Sequence, residues 1–158
     1  MKFSAIMALG LTTVSLACGG GSSHKNSMLP IAASSSNVQP IVVNSGPAGN
    51  YANGLFTNVT VCVPATSDCQ TIDGILVDTG SFGLRILSSA GGGALNLSLP
   101  QQKASNGNVG ECALFVSGYT WGSVNTADVM IAGEEASNVP VQVIDPTFAT
   151  VPSACKSA

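Results

Sequence analysis

From residue 40 onward the chain breaks into short runs rich in Val, Ile and Thr, and this punctuation constrains the fold before any motif is considered. The runs are residues 40–44 (PIVVN), 55–63 (LFTNVTVCV), 71–78 (TIDGILVD), 84–87 (LRIL), 113–117 (ALFVS), 123–132 (SVNTADVMIA) and 139–144 (VPVQVI). Clusters of Gly, Asn, Ser and Pro separate them. β-Branched side chains suit a pleated, half-buried surface, and the separating residues are those that build turns. Residues 88–99 (SSAGGGALNLSL) carry three consecutive Gly, which rules out a stable helix there. The sequence predicts an all-β domain with little helix.

Composition narrows what such a domain can do. The chain has 158 residues, 45 % of them hydrophobic, enough for one domain with a modest core rather than a disordered segment. Only 8 % are charged, the net charge is −3, and the five Lys and Arg residues are scattered, so no basic stripe offers itself to nucleic acid. The single His, His24, lies in a polar stretch, and no His/Cys cluster has metal-ligand spacing. Neither a metal nor another cofactor is expected.

The N-terminus reads as an address. Met1 and Lys2 precede an apolar run at residues 3–17 (FSAIMALGLTTVSLA), which is short for a mature membrane span. It ends in SLACGGGSS, which resembles a bacterial lipobox with Cys18 as the residue that becomes lipidated, although Ser15 stands where an aliphatic residue is usual. The alternative is a simple secretory signal that leaves Cys18 as an odd thiol. The expected division is a signal peptide at 1–17, a lipidated Cys18 with a Gly/Ser-rich tether through 39, and a folded body at 40–158. Gly rather than Asp follows Cys18, so the expected location is the cell envelope, anchored in the outer membrane and facing the periplasm or the surface.

Four further cysteines, Cys62, Cys69, Cys112 and Cys155, would meet an oxidising compartment in an exported chain. Cys62 and Cys69 flank VPATSD between two predicted strands, so a hairpin would bring them within bridging distance. Cys112–Cys155 is then the remaining pair. Three connectivities are formally possible, and this one is favoured.

One stretch carries chemistry. In residues 74–86, GILVDTGSFGLRI, an apolar run ends on Asp78, followed by Thr79, Gly80 and Ser81. It resembles the active-site signature of pepsin-type aspartic peptidases. The preceding runs at 53–63 and 71–78 resemble the strand pair entering that motif, and residues 118–144 resemble the flap hairpin and the strands after it. The likeness covers residues 53–148, essentially one lobe, and implies a pepsin-like β-barrel. It also resembles a family of uncharacterised bacterial exported proteins, many of them lipoproteins, that carry the same Asp-Thr-Gly-Ser segment.

The resemblance implies that Asp78 is one of two carboxylates sharing a proton and holding a water. Thr79 and Ser81 would orient the pair and Gly80 would permit close approach, while Ile75, Leu76 and Val77 would bury the approach strand. Tyr119 and Trp121 are the flap candidates; the other reading of them is a pair of cross-strand aromatics in a hairpin. The other reading of Asp78 is a carboxylate capping an ordinary turn.

The chain departs from the peptidase pattern in two ways. It holds one Asp-Thr-Gly only; Asp73-Gly74 lacks the hydroxyl residue. A second Asp would have to come from another protomer, in a homodimer, or from a second lobe, in which case the lobe is expected to be incomplete at its C-terminus; the second is favoured. Arg85 also stands where such enzymes usually hold a Trp, and its charge would lower the pKa of Asp78. The functions this leaves are an envelope aspartic-type endopeptidase, a non-catalytic lobe that binds peptide or protein, and an inactive fragment. The expected partners are a membrane through the lipid anchor, a peptide substrate, and a second lobe or protomer.

Overall fold

The computed structural model describes residues 37–89 and 92–156. Its strands are β1 (Val42–Asn44), β2 (Gly54–Cys62), β3 (Cys69–Leu76), β4 (Leu84–Leu87), β5 (Lys103–Ala104), β6 (Gly107–Asn108), β7 (Gly110–Phe115), β8 (Gly118–Ile131) and β9 (Glu134–Ile144), followed by the single-turn helix α1 (Ser153–Lys156). Each of the seven Val/Ile/Thr-rich runs contains or overlaps a strand, and the chain is all-β. The β5–β6 hairpin and α1 were not expected, because two-residue strands and one helical turn are too short to show a period. The proposed signal peptide, Cys18 and most of the tether lie outside the described residues. Asn37 and Gln39 fall within the expected tether but are fastened to the body. The Asn37 N–H donates to Ala132 O (2.7 Å), and the Gln39 side chain donates to Thr57 Oγ1 (2.7 Å) while accepting from the Ala132 N–H (2.8 Å).

The register fixes the strand order. Residues 60–62 of β2 pair at once with 69–71 of β3 and 128–130 of β8, so those strands lie on opposite edges of β2. Val141–Ile144 of β9 pair with β4 on one side and with Gly122–Asn125 of β8 on the other. The sheet therefore runs β3-β2-β8-β9-β4, with β1 beside β2 and β7 beside β8. All pairs are antiparallel except β4–β9, which is parallel. The barrel implied by the resemblance does not form: β3 and β4 are the two ends of an open sheet, and neither has a second partner strand among the described residues.

The core lies on one face of this sheet. Val59 and Val61 alternate inward from β2, and Val59 stands opposite Ile72 of β3. Ala127, Val141 and Ile86 continue the cluster across β8, β9 and β4, and Leu95 and Leu99 cover it from the Gly-containing segment. Val61, Ile86 and Val141 are almost fully buried, each contributing about 1.5–3 kcal/mol of transfer free energy. Gln70 holds the covering segment in place, donating to Ala94 O (2.6 Å) and accepting from the Asn96 N–H (2.9 Å).

Two disulfides reinforce the sheet, with the expected pairing. Cys62–Cys69 closes the β2–β3 hairpin across directly opposed residues, and Cys112–Cys155 ties α1 to β7. Asp73-Gly74 forms a bulge: three residue steps on β3 (Ile72 to Ile75) oppose two on β2 (Val59 to Thr57). Gly74 is required there because its φ is +71° and a Cβ would sit 2.4 Å from Pro47 Cγ.

Candidate functional site

Strand β3 delivers Asp78 to the rim of an open groove of about 800 Å³. Past the end of β3 the Val77 N–H still donates to Leu55 O (2.9 Å), and the chain then turns. The Asp78 Oδ1 accepts the Gly80 N–H (2.8 Å), a local turn of the kind Asp favours. Gly80 fits because a Cβ there would stand 3.3 Å from the same oxygen. The Ser81 hydroxyl is the largest influence holding the Asp78 carboxyl below its ordinary value; the Gly80 amide adds to it and the more distant Arg85 charge adds least.

One expectation about this stretch needs correction: the approach strand is not buried, since Leu76 and Val77 are 39 % and 37 % exposed, and Asp78, Thr79 and Gly80 after it are exposed too. Only Ile75 packs on the core. The physical reason is the open sheet: β3 is a terminal strand, and no described strand pairs with its outer edge.

Arg85 lies behind the turn. Its Nη2 meets Glu111 Oε1 at 3.0 Å, and Nη1 donates to Phe82 O. The guanidinium sits between the rings of Phe82 (5.9 Å) and Phe115 (5.7 Å), at distances where cation–π attraction operates. Its Nε is buried without a hydrogen-bond partner. In the β4–β9 register Arg85 is opposite Gln142, which is 1 % exposed and donates to Glu111 O (2.7 Å) while accepting from the Thr120 hydroxyl (2.8 Å). A polar network thus runs beneath the turn from Arg85 through Glu111 and Gln142 to Thr120.

The β7–β8 hairpin borders the same groove. Directly opposed residues share a face, so Ala113 with Thr120 and Phe115 with Gly118 form one face, and Cys112 with Trp121 and Leu114 with Tyr119 form the other. Phe115, Ser117 and Thr120 line the groove. Tyr119 is 42 % exposed on the far face. Trp121 also faces away; its Nε1–H donates to Ala149 O (3.0 Å) and its ring packs on Phe148. The flap candidates therefore share the hairpin with the groove-lining residues but not the face. Glu111, Phe115, Thr120 and Gln142 escaped the sequence reading. For Phe115 and Thr120 the available signal was parity, since two residues directly opposed across the tight turn must point the same way.

A family model described as "Protein of unknown function (DUF3443)" matches residues 33–158. No curated protein and no solved structure matches the chain. The match spans the whole described body and includes Asp78 and its groove: the chain belongs to the DUF3443 family of proteins of unknown function.

Proposed function

We propose that this chain is an aspartic-peptidase-like lobe of an exported lipoprotein, with Asp78 as one half of a carboxylate pair. The observation that carries the reading is the position of Asp78. Its carboxylate is held from within by the Gly80 amide and the Ser81 hydroxyl, stands at the rim of a groove, and is open to solvent on its outer side. An isolated lobe would present its carboxylate in this way, because the second Asp must approach from another lobe or protomer. The reading is supported by the β2–β3 pair that leads into the turn and by the β7–β8 hairpin that borders the groove.

With a second carboxylate opposite, the two would share one proton. The ionised member would take a proton from a bound water, and the protonated member would donate to the scissile carbonyl. The influences that lower the pKa of Asp78 suit the role of base. The lipid anchor on Cys18 would hold the lobe at the envelope membrane, facing the periplasm or the surface.

Cleavage of an unfolded protein at acid pH by the full-length protein, blocked by a statine-containing peptide and lost in Asp78→Ala, is the expected result. Undiminished cleavage by Asp78→Ala removes the reading. The second reading, a non-catalytic lobe that binds peptide or protein, is favoured by the lone Asp-Thr-Gly and by a carboxyl held in its ionised form. It expects peptide binding without turnover.

A further inference from the structure

The open sheet and the groove are one feature. Two strands with no second partner strand among the described residues, β3 and β4, both line the groove, and they do so with consecutive residues: Ile72 to Leu76 from β3 and Leu84 to Leu87 from β4. A strand that presents a face contributes alternate residues to a cavity. A strand that presents its edge contributes consecutive ones. Following the pairings, β3 is antiparallel to β2, β2 to β8 and β8 to β9, while β4 is parallel to β9. The two edges therefore run in opposite directions along one seam. Ile72 and Ile86, both in the core cluster, reach this seam, and Leu87 is 47 % exposed in it. The seam thus has an apolar floor between two edges that no described strand pairs, closed at one end by residues 93–95, which bond to Ser88 and Ser89; such edges are a liability that folded proteins cover or close.

We propose that the seam receives one extended apolar segment of a partner polypeptide carrying a basic side chain, which adds as a strand between β3 and β4 and closes the sheet into a barrel. Such a strand would run parallel to one edge and antiparallel to the other, pairing with both. Charge complementarity selects the basic partner. The groove-lining charges are Asp73, Asp78 and Arg85, and Arg85 is already paired with Glu111, so the uncompensated charge is negative. The inference stands apart from the reading of Asp78 as catalytic, because the seam consists of backbone edges and core side chains.

The test uses a fluorescein-labelled heptapeptide, KLVVGLK, with two controls: the same peptide N-methylated at alternate amides, and ELVVGLE. The expected result is saturable anisotropy with KLVVGLK, weakened at least about tenfold by N-methylation through the loss of two or three strand hydrogen bonds. ELVVGLE binds more weakly at low salt. Amide hydrogen exchange slows on both β3 and β4 when KLVVGLK binds. Leu87→Asp, a change at a half-exposed position, weakens binding at least about tenfold while the far-ultraviolet spectrum is unchanged. Absence of saturable binding, equal binding of the N-methylated peptide, or protection of only one of the two strands overturns the proposal. So does self-association that Leu87→Asp abolishes and KLVVGLK fails to compete, since that makes a second copy the occupant. Peptide binding reads the seam and Asp78→Ala cleavage reads the carboxylate, so failure of one leaves the other standing.

Discussion

Arg85 Nη2 stands 3.0 Å from Glu111 Oε1, and this one ion pair ties the strand that follows the Asp78 turn to the hairpin bordering the groove. The guanidinium is 14 % exposed and the carboxylate 35 %. Glu111→Ala leaves a largely buried cation short of its partner and should lower stability by about 1–3 kcal/mol, read as a shifted urea midpoint. Arg85→Met should cost less, because it also removes the unpartnered Nε and keeps an apolar body between Phe82 and Phe115. The reverse ranking would show that the pair contributes net attraction beyond the cost of burial.

Asp78 titrates below its ordinary 3.8, with the Ser81 hydroxyl as the leading cause. Ser81→Ala should therefore raise its midpoint toward 3.8, and Arg85→Met should raise it less, because the Arg85 charge is the weakest of the lowering influences. Carbon-13 NMR of the side-chain carboxyl resolves the order. A midpoint unmoved by Ser81→Ala would mean that the hydroxyl does not hold the carboxylate.

Asp128, on β8, accepts the Ala65 N–H (2.9 Å) and the Asn138 N–H (2.8 Å), and these two amides, Ala65 first, lower its carboxyl below the ordinary 3.8. A folded-state pKa below the unfolded one means that the unfolded chain binds the proton more readily. Asp128 therefore stabilises the fold above about pH 3.8, and that stability is lost as pH falls through the lower folded value. Asp128→Asn should be less stable than wild type at about pH 7, and the gap should narrow at about pH 2.5. Parallel urea midpoints at the two pH values would show no linkage at this site.

The two disulfides should differ in worth. Cys112–Cys155 joins residues 43 apart in sequence and Cys62–Cys69 residues 7 apart. On chain entropy alone, replacing the first pair by Ala should cost roughly 1.5 kcal/mol more than replacing the second. Guanidinium unfolding of the two double variants measures the difference. A smaller or inverted gap would mean that the hairpin bridge acts mainly on the native register.

Local chemistry was legible in the sequence. Val59 and Val61 alternate on one face of β2, the Asp73-Gly74 pair interrupts β3, and the cysteines flanking VPATSD meet across a hairpin. Each of these follows from residues a few positions apart. The turn at Asp78, with Gly80 and Ser81 serving its carboxylate, was legible for the same reason: all three partners lie within four residues.

What joins distant residues was decided only by the tertiary structure. Which face of the β7–β8 hairpin meets the groove depends on the register with β9, so Phe115 and Thr120 line it while Tyr119 and Trp121 turn away. Gln142 reads as a polar interruption in an apolar run until β4 docks beside β9 and sets Arg85 opposite it. The exposure of Leu76, Val77 and Asp78 has the same origin. A sequence specifies that a strand forms and which side chains alternate along it, but whether its edge is covered depends on which strands complete the sheet, and here β3 and β4 are left facing a groove.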